Sequence, residues 1–161
     1  MKILETPSKL EKKLMEEAIQ LSLEHVHKGG IPFSALIADE QGNVLGKGVN
    51  QVNELCDPTA HAEIMAIREA GKKSGSANLT GATLYASGEP CALCYMAARW
   101  AGITKIYVAS NRHEAAKAGF DYRWSYHFIN DGEPGSSMQV SKLSIVGANA
   151  PFEQWAALTT Y

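Results

Sequence analysis

No apolar run in this chain approaches the roughly 18 residues of a membrane span, and the opening stretch, Met1 to Leu14, is charged and lacks a secretory h-region. Neither membrane insertion nor export is expected, and the cytoplasm is the predicted location. A disulfide framework is equally ill served. The three cysteines are an odd number, and two of them share one C-x-x-C, which favours metal or redox chemistry. Charge of one sign is also missing: 15 Lys and Arg stand against 17 Asp and Glu, a net of −2, so nucleic acid is not an expected partner. Gly (14) and Pro (6) are too sparse for a collagen-like or low-complexity chain. There is no internal repeat and no long linker. What is present is 161 residues, 45% of them apolar, enough for the core of one soluble domain spanning 1–161.

Ser8 and Glu11 form a capping-box pattern, and Leu10, Leu14, Ala18, Leu21 and Val26 then keep one helical face up to Gly29-Gly30. Residues 33–39 and 44–50 predict a hairpin around the turn-rich Glu40-Gln41-Gly42-Asn43. A helix is expected over 60–70, stopping at Gly71, with His61 and Glu63 in its first turn. A strand at 82–87 leads through Gly88-Glu89-Pro90 into a second helix running to about Gly102. Strands at 103–109 and 138–146 and short helices at 114–118 and 151–158 complete the pattern, which implies helices layered on a mixed sheet. The aromatic segment 121–129 matches no element clearly.

Two short blocks carry the chemistry: His61-Ala62-Glu63 and Pro90-Cys91-Ala92-Leu93-Cys94. Cysteines three apart at a helix start share one face, where free N–H groups and the helix dipole favour the thiolate that metals bind. His61, from another helix, adds a third donor. Three protein donors leave one tetrahedral position for water, as catalytic zinc requires, and zinc can bring the pKa of that water to about 7. Glu63, two residues beyond the histidine, is placed to face the water and carry its proton. Singly, the blocks say less. C-x-x-C is more often a redox pair or half of a structural zinc site, and H-x-E is common at exposed helix starts. A structural zinc would need a fourth ligand, with Cys56, His25, His27, His113 and His127 as the conventional candidates. Cys56 reads more simply as a small buried residue, and the histidines as surface or helix-packing groups.

Taken together and in this order, the blocks match the H-x-E…P-C-x-x-C signature of zinc-dependent base deaminases. The chain resembles the cytidine-deaminase-like superfamily nearly end to end and, among its branches, is most similar to bacterial guanine deaminases. Gly29-Gly30-Ile31-Pro32-Phe33, Asn50, Asp57-Pro58-Thr59-Ala60 and above all Ala118-Gly119-Phe120-Asp121 carry that narrower likeness. Adenosine deaminases acting on tRNA share the metal blocks, but the glycine-rich, small-residue pattern usual in them after Ile103–Ala109 is missing here. The resemblance implies a three-layer α/β/α fold with a mixed, five-stranded sheet. It implies one zinc per chain on His61, Cys91 and Cys94, with Glu63 as proton shuttle.

By the same resemblance, Phe33 stacks on the purine, Asn50 binds its polar edge, Ala62 belongs to the substrate site and Trp100 walls the pocket. Asp121 recognises the guanine edge and assists proton transfer to the leaving amine. A homodimer is implied, with the segment 150–161 exchanged and Tyr161 closing the partner's pocket. Gly88 stands where the family usually carries a larger residue, which predicts a more open wall or a more mobile loop. The implied reaction converts guanine and water to xanthine and ammonia. Another aminated base or nucleoside, such as guanosine, cytosine or ammeline, is the next reading, and tRNA adenosine a more remote one.

Overall fold

The computed structural model describes residues 1–128 and 138–159. A strand that the sequence pattern does not announce, β1 (Lys2–Leu4), comes first and is followed by α1 (Lys9–His27). Three residues are too few to show an alternation, so only pairing with another strand reveals β1. The capping box of α1 is formed: Ser8 Oγ accepts the Glu11 N–H at 3.1 Å, and the Glu11 carboxylate accepts the Ser8 N–H at 2.8 Å. Two donors that the helix itself leaves without acceptors are thus satisfied.

The expected hairpin is β2 (Ser34–Ala38) and β3 (Val44–Val49), and a single turn, α2 (Val52–Leu55), follows it. Next come α3 (Ala62–Ser74), β4 (Thr83–Gly88), α4 (Ala92–Trp100), β5 (Lys105–Ser110) and α5 (Arg112–Lys117). A 3₁₀ helix over Arg123–Phe128 occupies the aromatic segment, and β6 (Gln139–Leu143) and α6 (Ala150–Thr159) close the chain. Helix α3 runs past Gly71 and ends at Gly75, whose left-handed φ of 67° makes it the better C-cap.

Among the described residues six strands lie in the order β1-β6-β5-β4-β2-β3, one more than expected. β2 is antiparallel to both neighbours, while β4, β5, β6 and β1 run parallel. The side-chain period of two divides the core. Ala35, Ile37, Leu84, Ala86, Ile106 and Val108 face α3 and α4, whereas Leu36, Ala38, Tyr85, Tyr107 and Ala109 face α1. Helices therefore cover both faces of a mixed sheet. Among the described residues, no helix is long and apolar enough to cross a membrane.

One packing detail sets the site. A Cβ on Gly48 would fall 2.1 Å from the Ala62 carbonyl, so only glycine lets the start of α3 press this closely onto β3. The β4–α4 connection, Glu89-Pro90-Cys91, leaves the sheet at the carboxyl end of a parallel strand, where open α/β sheets place their ligands.

Candidate active site

The first turns of α3 and α4 meet at one point. His61 and Cys91 are the N-cap residues of the two helices, with extended backbones (φ −66°, ψ 155° and φ −71°, ψ 174°), and neither side chain caps its own helix. Each is freed to point outward. His61 thus stands one residue ahead of the first turn where the sequence pattern places it, while Glu63 lies within that turn.

His61 Nδ1 is 3.4 Å from Cys91 Sγ and 3.5 Å from Cys94 Sγ, and the two sulfurs are 3.7 Å apart. A tetrahedral zinc with Zn–S near 2.3 Å and Zn–N near 2.0–2.1 Å would separate its ligands by about 3.8 Å (S···S) and about 3.5 Å (N···S). The donors fit zinc in both identity and spacing. Among the described residues no other His, Cys, Asp or Glu cluster meets the same test, so Cys56, His25, His27, His113 and His127 add no fourth ligand.

Glu63 is buried beside the triad, with Oε2 3.4 Å from Cys94 Sγ. Burial, with the Cys91 charge adding, pushes its carboxyl up to about 7, where a group can both take and give a proton near neutrality. The hydrogen bond from Cys94, helped by His61, brings the Cys91 thiol down to about 4. The same contact and burial hold Cys94 well above the ordinary thiol range. His61 is raised, chiefly by its hydrogen bond with Cys91.

Behind the metal ligands lies a brace that the sequence pattern did not reveal. Glu89, buried, accepts from Arg112 Nε at 2.9 Å and Nη2 at 2.5 Å through Oε1, and from the Arg112 backbone N–H at 2.7 Å through Oε2. The guanidinium lies 3.7 Å over the Tyr126 ring. Tyr122 Oη donates to the Glu89 carbonyl at 2.6 Å, and Tyr126 Oη donates to the Pro90 carbonyl. Ser125 Oγ accepts the Ala92 N–H at 3.2 Å, supplying from outside the cap that Cys91 does not provide. The aromatic segment thus holds every residue from Glu89 to Ala92 except the metal ligand itself. Its only sequence signal was the density of tyrosines and tryptophan.

In front of the ligands is a cavity of about 320 Å³, near the lower end of the roughly 300–1,000 Å³ usual for small-molecule sites. Its wall includes Phe33, Asn50, His61, Glu63, Phe120 and Asp121. Phe33 meets Phe120 and Phe152 edge-on at 5.2 Å each, and Phe120 meets Trp155 at 4.6 Å. Helix α6 therefore packs against this wall within its own chain. Gly88 does not open it: a Cβ there would lie 2.8 Å from Phe33 Cε1 and 3.3 Å from Phe152 Cζ, so the missing side chain is replaced by two rings.

Asp121 stands at the mouth. Arg123 binds it through Nε at 2.8 Å, Nη2 at 2.6 Å and the backbone N–H at 3.1 Å, and holds the carboxyl down at about 2. Two implied site residues are not brought to the cavity. Trp100, at the end of α4, is 81% exposed, and Ala62 is fully buried in the core against the sheet. Cys56 is also corrected: it is exposed, and its φ of 49° ends α2 in the left-handed region. Tyr161 lies outside the described residues.

A His–Cys–Cys triad spaced for zinc, with a buried glutamate at the foot of a small cavity, defines a zinc-dependent deaminase. The cytidine and deoxycytidylate deaminase zinc-binding region matches residues 8–110, and the chain belongs to that family. Guanine deaminase from Bacillus subtilis (strain 168) is 35% identical over 142 residues, 88% of this chain and 90% of that protein. The crystal structure of guanine deaminase from Bacillus subtilis superimposes with a TM-score of 0.68 at 33% identity, covering 92% of this chain and 95% of that one. The tRNA-specific adenosine deaminase of Haemophilus influenzae is 30% identical over 134 residues, 83% of this chain and 75% of that protein. Guanine deaminase and tRNA-specific adenosine deaminase are thus both among the relatives of this chain, so family membership alone does not fix the substrate.

Proposed function

We propose that this deaminase hydrolyses guanine to xanthine and ammonia, with residues 1–161 acting as one catalytic domain. The observation that carries the reading is the pairing, in one cavity, of the Asn50 amide and the Asp121 carboxylate beside an aromatic wall. Guanine is a flat, neutral ring that offers a carbonyl and ring-nitrogen acceptors on one side and N–H donors on others. Adenine has no carbonyl. A site whose polar groups are left unpaired by the wrong base rejects it strongly.

Zinc bound by His61, Cys91 and Cys94 supplies water activated for attack at neutral pH. Glu63 takes a proton from that water and delivers it to the ring nitrogen beside the attacked carbon. Glu63 then collects the second proton, from the oxygen newly bonded to that carbon, and hands it to the amine, so that the C–N bond breaks as the C=O forms and xanthine and ammonia leave. Phe33 offers its ring to the base, and Asn50 donates to an acceptor on its edge. Asp121, kept ionised by Arg123, accepts from an N–H; its implied share in protonating the amine needs the base to take Arg123's place.

We also propose a homodimer. Leu93 (42% exposed), Met96 (39%) and Trp100 (81%) follow one face of α4 at helical spacing, an apolar stripe suited to a second copy. Exchange of residues 150–161 would carry Phe152 and Trp155 to the same partners on the other chain. Thiol ligands suit the reducing cytoplasm. Sedimentation of the wild type and of Trp100→Glu tests the dimer, and a fully active monomeric wild type would remove it.

Ammonia release from the zinc-loaded enzyme tests the substrate, with guanine, guanosine, cytosine, adenine, ammeline and tRNA supplied separately. Turnover of guanine in preference to the others is expected. Turnover of a different base or nucleoside would keep the zinc chemistry and overturn the guanine reading. Inosine formation in tRNA, with all small molecules inert, would transfer the enzyme to the other kind of relative.

A further inference from the structure

Asn50 is pinned more completely than a residue just after a strand needs to be. Its N–H donates to the Phe33 carbonyl at 3.1 Å, and its own carbonyl lies 2.7 Å from His25 Nε2. A carbonyl can only accept, so the imidazole carries its proton on Nε2. The side-chain oxygen of Asn50 is occupied as well, because Oδ1 accepts the Val52 N–H at 3.1 Å. A backbone N–H can only donate, which settles which end of the amide faces it. The end left over is Nδ2, which has no protein partner among the described residues and belongs to a side chain lining the cavity.

His25 reaches Asn50 because of Gly30. A Cβ on Gly30 would fall 2.1 Å from His25 Nε2 and 2.3 Å from Cε1, so the ring occupies the volume a side chain would fill. Gly30 is not among the glycines with a left-handed φ, so its missing side chain supplies space and not conformational freedom. Its N–H also donates to the His25 carbonyl at 3.0 Å, folding the loop back over the end of α1. The last turn of α1 is thereby tied to the wall of a pocket that its sequence gives no reason to approach.

We infer that His25, seated over Gly30, is a positioning residue that holds the Asn50 backbone where the Val52 N–H turns the side-chain amide to meet the base as a hydrogen-bond donor. The pocket then accepts a carbonyl or an unprotonated ring nitrogen at that point and rejects an amino group or ring N–H there. This rests on the reading of Asn50 as a contact to the base.

Steady-state kinetics of the zinc-loaded enzyme on guanine, for wild type, His25→Ala, His25→Gln, Gly30→Ala, Asn50→Ala and the His25→Ala/Asn50→Ala pair, tests the inference. Loss of one net hydrogen bond should raise KM about five- to tenfold for Asn50→Ala and up to that much for His25→Ala, with kcat nearly unchanged. His25→Gln, which keeps an N–H donor, should return KM to within about twofold of wild type. Gly30→Ala, whose methyl displaces the ring, should reproduce His25→Ala. In the Asn50→Ala background His25→Ala should add nothing, because it acts through the missing amide.

A KM raised equally in both backgrounds would mark a merely structural effect and overturn the inference. If Asn50→Ala raises KM and His25→Ala does not, the role of His25 fails while the Asn50 contact stands. If Asn50→Ala leaves KM unchanged, the contact itself fails and the inference with it. A readout independent of turnover uses the Asn50 side-chain amide resonances, assigned by their loss in Asn50→Ala. They should move in His25→Ala and Gly30→Ala and return in His25→Gln. Resonances that stay in place would overturn the proposal whichever base is turned over, and Gly30→Ala supplies the readout should His25→Ala not fold.

Discussion

The inner end of the cavity and its mouth are made differently. At the inner end Glu63, Cys91 and Cys94 are buried, and the segment that carries the cysteines is held by Arg112, Tyr122, Ser125 and Tyr126. At the mouth Asp121 and Arg123 form an ion pair whose two side chains are about half exposed. Burial shifts the Glu63 carboxyl toward neutrality, whereas at the mouth hydrogen bonds from the exposed Arg123, side chain first and backbone second, drive Asp121 the other way. Reacting groups must be held in place before substrate arrives, because charge stabilisation acts only from fixed positions in a dry site. A group that greets an incoming base can exchange one partner for another, and water at the mouth keeps that exchange cheap.

Glu63→Gln is the sharpest test of the inner end. Ammonia release should fall by at least about 10²-fold, with zinc content by metal analysis unchanged, since the amide keeps the shape and loses the proton carrier. Retained activity would sink the mechanism.

Next in size is the brace. Arg112→Met leaves Glu89 buried and uncompensated, so a loss of about 3–5 kcal/mol in urea unfolding is expected, accompanied by faster loss of zinc to a chelator. Stability and zinc retention close to wild type would show that the metal loop stands without its brace, and the contrast between the two ends would weaken.

Gly88→Ala probes the boundary between them. The added methyl must displace Phe33 and press on Phe152, with an overpacking penalty of about 1–3 kcal/mol and a KM raised several-fold at retained zinc content. An unchanged KM would remove Phe33 from base binding.

The smallest effect belongs to the mouth. Arg123→Gln should leave the thermal midpoint almost where it was, while the Asp121 carboxyl, followed by NMR titration, rises from about 2 toward the ordinary range. The sign follows from the pair. A carboxyl depressed in the folded state gains stability from Arg123 above the unfolded pKa and loses it as pH falls through about 2, so the variant should lose that acid-side dependence. A large drop in stability at neutral pH would instead make Asp121–Arg123 structural.

Legibility followed the same division. The zinc ligands and Glu63 were readable because metal chemistry demands particular residue types at short spacings, and α1, α3, α4 and the hairpin were readable because caps and periodicity are local. Strand β1 escaped because three residues hold no pattern, and α2 because one turn holds none either. Trp100 stands away from the cavity of its own chain for a different reason. A tryptophan three residues beyond Ala97 could face the pocket or the solvent, and only the packing of α4 on the sheet turned it outward. Glu89 read as a turn residue because its partner, Arg112, follows the end of the neighbouring strand β5 and is distant in the chain.

The sequence by itself determined the donor set, the class of reaction and the layering of helices on a mixed sheet, since each depends on residue type and near-neighbour spacing. Only the tertiary structure decided that Gly88 makes room for two aromatic rings, that Gly30 makes room for His25, and that a tyrosine-rich segment steadies the cysteine loop. Those roles depend on which atoms compete for the same volume and which carbonyl meets which hydroxyl, and such contacts exist only once distant segments have been packed together.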